Sequence, residues 1–499
     1  TVNVVVHHPL LEPSPQVSHR MAVHQNVLWT VYPEGNTLQG LALNTDELYT
    51  LEICNNPSSI ALYEDILRVT CIDSAEIATV DLSNGLESLN FSTLDLGDNL
   101  RPTSIIAPSE DNVWWFIDAA NDQLGHIDAM DSIVWYPVGG DLQGLARHPD
   151  GTLLLPQFLA GSDGGTISTY NPSLNEWMDI HLPLDEAGDS DNTTGGTPNL
   201  LENVYPSRDG KTIWTPVTHA NILRGSFLNG EPLSHETSLR GVLRTVDWGT
   251  QEDSETRRKQ FDEKGRASAV ATSSYGDVVY VLHPGVASVS ILDGFSRQIL
   301  GSLSDLGIHP TDLLQESDDL YVYSWLTREI IAFDIQDPIR PVHQWTRSFI
   351  ESEVLSSTEL KGKQIFHDAS DTRMTKTGYI ACAHCHPGGD HDGQTWDHTY
   401  RGEGLRNTTS LLSRSGIGMG RLHWSGNFDE IQDFEQDIRE EFGGSGFLSD
   451  AEWDSHPTTL DAPRGGLSDD LDALATYVTA LPNTPASPVL VESNDIQQG

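Results

Sequence analysis

Lysine is nearly missing from this 499-residue chain, which has only Lys211, Lys259, Lys264, Lys361, Lys363 and Lys376. Lys and Arg together number 28 against 73 Asp and Glu, a formal charge of −45. Neutralising phosphates takes clustered cations, so nucleic acid is excluded as a partner, and an anionic membrane surface with it. No run approaches the ~18 apolar residues of a membrane-crossing helix, so no membrane span is expected. Acidic residues are spread along the whole chain. That favours a solvated surface suited to a salty environment over a docking field for a basic partner. Cysteine is scarce as well, at four residues: Cys54, Cys71, Cys382 and Cys385.

What the chain does contain is turns and aromatics: 43 Gly, 26 Pro, 12 Trp, 13 Tyr and 13 Phe. Such a composition is globular, points to a turn-rich β architecture, and at this length suggests two or three domains. From about residue 20 to 350 one pattern recurs. A short apolar run is followed by a polar turn and β-rich runs with apolar residues at period two, as in 57–82, 101–128, 142–170, 199–223, 266–293 and 309–334. With the segment 27–43 these make about seven units, most some 40–45 residues apart, the spacing of four-stranded propeller blades. Asp150-Gly151 and Asp209-Gly210 supply the positive φ that tight turns need. These units resemble those of bacterial YVTN-type propellers. The stretches 179–197 and 229–265 exceed the spacing and read as long loops, and the run 2–6 reads as a strand closing the ring on the last blade. Equivalent strand ends at Asp118, Gln157, His219, His283 and Trp325 fall near one channel mouth. Asp118, His219 and His283 there form a candidate metal or anion site, weighed against loop-end residues around an empty channel.

The pattern changes near residue 351. Helices are expected at 358–366, 428–442 and 468–481, the last followed by Pro482. The expected organisation is mainly β: a propeller over 1–350, an α-helical unit over 351–485, and a tail over 486–499.

Cys382-Ala383-His384-Cys385-His386 reads C-x-x-C-H. Two thiols so spaced reach both vinyl groups of a haem, and the adjacent histidine reaches the iron. A zinc knuckle would need a second Cys/His pair, and none has suitable spacing. The expected cofactor is one covalent haem c, with His386 as proximal ligand. Because such haems are attached outside the cytoplasm, the chain is expected in the periplasm or outside the cell, with a signal peptide already removed before Thr1. In that oxidising setting Cys54 and Cys71 are a candidate disulfide.

Residues 360–386 resemble the haem-attachment segment of bacterial cytochrome c peroxidases and MauG-like proteins, at Gly362, Lys363, Phe366, Asp368, Gly378, Cys382, Cys385 and His386. Segments 405–411 and 422–434 are similar to later stretches of that family, so the likeness spans about 130 residues. It implies a haem domain that transfers electrons or acts on peroxide. The family usually carries two haems, whereas this chain has one motif. The sixth iron position stays open between Met419, His423, Met374, His398 and no protein ligand. Arg401, Arg406 and Arg414 are candidate propionate partners, and Trp396 and Trp424 flank the segment. The expected role is electron transfer with the propeller as docking or substrate-binding platform. The alternatives are a peroxidase-like oxidase and a subunit of a larger redox assembly. The expected partner is a redox protein, basic or itself a cytochrome.

Overall fold

The computed structural model describes residues 9–109, 112–186, 190, 193–227, 230–412, 420–460 and 462–482. The expected strand at 2–6 and the tail from 486 lie outside them. Seven antiparallel sheets follow one another along the chain, at 21–52, 57–95, 102–137, 146–183, 197–260, 269–303 and 310–348. The protein is mainly β, and these sheets are the seven blades of a propeller. Their strands are short because each must bury one or both faces against a neighbouring blade. Val27–Tyr32 and Val278–His283 are buried at every position. The expected turn glycines do adopt positive φ, 91° at Gly151 and 66° at Gly210.

Among the described residues each blade draws its core strands from one continuous stretch of chain, with no strand exchanged between the first and last blades. Blade 1 meets blade 7 through side chains instead: Met21, Leu28, Tyr32 and Leu41 pack with Tyr321, Tyr323, Ile330 and Phe349. A strap before blade 1 adds to this. Gln16 and Val17 pair with Arg147 and Ala146 of blade 4. The next three residues bond to six of the seven blades, the Arg20 carbonyl accepting from Thr30 of blade 1. Ser18 donates from its backbone to Leu145 and from its hydroxyl to Ser104, and it accepts from Asn203. The His19 carbonyl accepts from Ile60 and Ser59, while His19 and Arg20 bond the Asp312 carboxylate at 3.0 and 2.6 Å. A segment reaching the inner edges of so many blades occupies the propeller axis, so the expected empty channel is filled.

Blade 5 departs from expectation. The stretch 229–265 was expected as a loop, yet it contains Leu239–Asp247, a nine-residue strand buried except at its last residue. Its arginines made it look solvated. They are buried because Arg244 bonds Asp253 at 3.0 Å and His219 at 3.1 Å, and Arg240 donates to the Glu236 carbonyl. Likewise Glu176–Pro183 is the outer strand of blade 4, which takes up the start of the other supposed loop.

Cys54, in the link between blades 1 and 2, is disulfide-bonded to Cys71 of blade 2.

Beyond residue 350 regular structure is sparse. The helices Ser357–His367 and Asp469–Thr479 form where expected, capped by Ser356 and Ser468. The expected helix at 428–442 does not: a 3-10 turn Ile431–Phe434 leads into the short helix Glu435–Glu440. Asp433 draws the backbone N–H groups of Asp429 and Glu430 onto its carboxylate, which fixes a cap where the helix should continue. The region is therefore less helical than the expected α-helical unit. It has its own apolar cluster, including Ile365, Phe366, Met374, Phe428, Ile438, Leu474 and Val478. The two longer helices touch backbone to backbone: a Cβ on Gly362 would fall 1.9 Å from the Ala473 carbonyl oxygen. No helix among the described residues is long and apolar enough to cross a membrane.

Candidate functional site

The Cys382–His386 segment is a single tight turn. Residues 382–384 form a 3-10 turn, and the His386 N–H donates to the Cys382 carbonyl at 2.9 Å. The turn puts Cys382 against the apolar cluster, on which Leu411, Leu412 and Phe434 also pack. Neither sulfur is in a disulfide, and each is only partly exposed. Burial pushes the Cys382 thiol up to about 12 and Cys385 well above its ordinary value, so neither rests as thiolate. No cluster of three or more His, Cys, Asp or Glu suited to a metal ion exists among the described residues.

His386 is aimed by the loop that follows it. Its Nδ1 lies 3.0 Å from the Asp390 carbonyl, and the Thr409 backbone also reaches the ring. Burial depresses this imidazole to about 4, so it is neutral at neutral pH, the form that ligates iron.

The remaining predicted residues divide into those engaged elsewhere and those left free. His423 has both nitrogens occupied, with Asn427 at 3.0 Å and Asp437 at 3.4 Å. Arg401 sits between Asp437 (3.0 Å) and Glu441 (3.3 Å). Met374 is buried in the cluster that contains Cys382. Arg406 and His398 lie on one face of the hairpin of Thr395–His398 and Gly404–Asn407, and the Arg406 Nε and His398 Nδ1 are buried without a partner. Trp396, on the same face, donates to Asp392 at 3.0 Å, and Asp392 in turn lies close enough to Cys385 to raise its thiol. Trp424 is exposed and donates to the Asn407 carbonyl at 2.8 Å. Met419 and Arg414 fall outside the described residues.

The strand ends first read as a channel mouth turn out to be the floor on which the C-terminal region rests. Trp325 packs against His367 and lies under the Lys363 ammonium at 4.0 Å. Just past His283, a Cβ on Gly285 would lie 2.5 Å from the His384 ring, and one on Gly265 would lie 3.0 Å from it. His384, between the two cysteines, thus fills a slot that two glycines leave open, and Arg266 beside it donates to the Ala383 carbonyl. Asn199 donates to the Asp392 carbonyl at 2.8 Å, and Ala369 to that of Gly285. As a candidate metal site, Asp118, His219 and His283 of blades 3, 5 and 6 form no ligand group among the described residues, and each is engaged locally. Asp118 caps its own turn through Arg101, Asn121 and Gln123. His219 meets Arg244, and His283 meets the Arg266 carbonyl and Ser290 at 2.9 Å each.

The seating of the motif was not legible in the sequence. His384 read only as a spacer, and the glycines lie in connecting loops.

No protein-family profile and no curated protein matches the chain. Among solved structures, Kuenenia stuttgartiensis hydrazine synthase aligns with a TM-score of 0.51 at 14% identity, over 67% of this chain and 99% of that one. The dihydro-heme d1 dehydrogenase NirN aligns at 0.43 and 13% identity, over 68% of each chain. Staphylococcus aureus virginiamycin B lyase aligns at 0.41 and 12%, over 60% of this chain and 85% of the other. At such identities the likeness concerns the fold.

Proposed function

We propose that this protein is an exported mono-haem c-type cytochrome that transfers electrons, with Cys382 and Cys385 as the thioether anchors and His386 as the proximal iron ligand. The observation that carries the reading is the His386 imidazole, neutral and held through Nδ1 by the Asp390 carbonyl at the end of a turn whose Cys382 packs against an apolar cluster. A bound haem would supply one-electron chemistry at its iron. The residues around it fit such a group. The apolar cluster against which Cys382 packs matches an apolar macrocycle. The orphaned Arg406 Nε is a charged donor suited to a propionate. Arg401 already neutralises Asp437 and Glu441, which makes Arg406 the better partner of the two.

The Cys54–Cys71 disulfide agrees with maturation in the periplasm or outside the cell. The propeller's part is that of a floor beneath the motif as well as a platform for other molecules. The test is the native protein's absorption spectrum and intact mass. A c-type spectrum and a mass larger than the polypeptide by one haem are expected, both abolished in Cys382→Ala/Cys385→Ala. A colourless native protein of bare polypeptide mass overturns the reading. Ferric spectroscopy then separates carrier from oxidase: a low-spin six-coordinate spectrum supports the carrier, and a high-spin one that responds to peroxide supports the peroxidase-like alternative.

A further inference from the structure

The hairpin beside the motif has two unlike faces. Inward it presents Trp396, His398 and Arg406; outward, by strand alternation, it presents Thr395, Asp397, Leu405 and Asn407. Leu405 is 65% exposed, Trp424, hydrogen-bonded to Asn407, is 61% exposed, and Tyr400, in the turn that joins the hairpin strands, is 45% exposed. Large apolar side chains rarely stand together in water without a partner. Around them the charge is acidic. Asp397 and Glu403 belong to the hairpin and its turn, and Tyr400 donates to Glu441 at 2.9 Å. The nearby cations are Arg401, taken up by Asp437 and Glu441, Arg406 on the inner face, Arg421 near the Trp424 turn, and Arg224, next to the Gly225 that packs on Asp397.

We infer that the outer face of this hairpin, centred on Leu405 and Trp424, is the docking surface for a basic, lysine-ringed redox protein. The inference rests on the haem reading above. An apolar centre within an acidic rim on a chain of charge −45 complements a partner with an apolar contact spot inside a ring of cations. The hairpin adjoins the motif: Trp396 on its inner face donates to the Asp392 carboxylate, six residues past His386. A docked partner would sit close enough to exchange electrons without entering the protein.

The test uses the haem-loaded protein and a small, lysine-rich mitochondrial-type cytochrome c as probe, with the electron-exchange rate followed by stopped flow. The wild-type rate is expected to fall steeply as salt rises. Leu405→Ser and Trp424→Ser should each lower it about tenfold, the effect of losing a central contact, and Glu403→Lys should flatten the salt dependence. Reduction by a small-molecule reductant should be unchanged in all three. Wild-type exchange rates in the variants overturn the surface alone, as does faster exchange with an acidic ferredoxin, or a patch buried in a dimer by sedimentation. A colourless protein overturns the reading beneath it as well.

Discussion

His367 offers the sharpest test of how the propeller and the C-terminal region are joined. Its ring lies 4.6 Å from that of His309 and 5.5 Å from that of Trp325, both on the propeller, and its Nδ1 is 2.8 Å from the Lys363 carbonyl. Burial depresses it to about 3. The Lys363 carbonyl opposes this, while Lys363, Arg266 and His384 add to it. An unfolded histidine titrates near 6.5. The folded value is the lower one, so the unfolded chain binds the proton more readily. The associated stability is complete above about pH 6.5 and drains away as pH falls toward 3. At about pH 5, one and a half pH units below the unfolded value, about 1.4 kcal/mol per unit gives a loss of about 2 kcal/mol from this residue. Urea unfolding of wild type and His367→Phe, followed by tryptophan fluorescence at about pH 7.5 and pH 5, isolates the effect because other groups cancel between the two proteins. Wild type should lose about 2 kcal/mol more than the variant on acidification. Parallel losses would show that His367 is hydrated in solution, and the packed interface would fall with it.

Other perturbations probe separate parts of the argument. Gly285→Leu drives a side chain into the His384 ring and should destabilise by about 1–3 kcal/mol in thermal unfolding, with a shifted haem spectrum. Gly301→Ala, whose Cβ would meet only Ile291 at 3.7 Å, should do neither. Replacing Cys54 and Cys71 by serine opens a link between residues 17 apart and should cost about 3 kcal/mol in urea unfolding under oxidising conditions, with no difference in reductant. Asp312→Ala orphans the strap at His19 and Arg20. It should cost about 2 kcal/mol and speed hydrogen exchange at the Ile60 amide, and unchanged exchange there would show that the strap is not held on the axis.

The propeller was legible because its signal is local and repeated: period-two burial, Asp-Gly turns and a blade-length interval need no tertiary information. The C-x-x-C-H motif is local in the same way, five consecutive residues that the structure draws into one tight turn. Leu239–Asp247 was hidden because Arg240 and Arg244 look solvated until Glu236, His219 and Asp253 are placed beside them. The apolar spacing through Phe428, Ile431 and Ile438 located core residues correctly but implied a continuous helix, because nothing in the spacing reports the Asp433 cap. The least legible feature is the slot under His384. It depends on two glycines about 100 to 120 residues upstream and on which face of the propeller meets the C-terminal region.

The closure of the ring explains why those two parts belong together. Among the described residues each blade is drawn from its own stretch of chain, and no ladder of hydrogen bonds ties blade 7 to blade 1. That seam relies on side chains, on the strap through the axis, and on the C-terminal region crossing it. Glu34 of blade 1 binds both Lys363 of the helix Ser357–His367 and Arg328 of blade 7, while Glu353 binds Arg328 and Tyr32. Burial alone would raise the Glu34 carboxyl, but the two cations hold it below the usual carboxylate range, so the knot is ionised. The same helix carries Phe366 into the cluster that contains Cys382. A contact that staples the seam is therefore one helix away from the thiols, and loosening either end should be felt at the other.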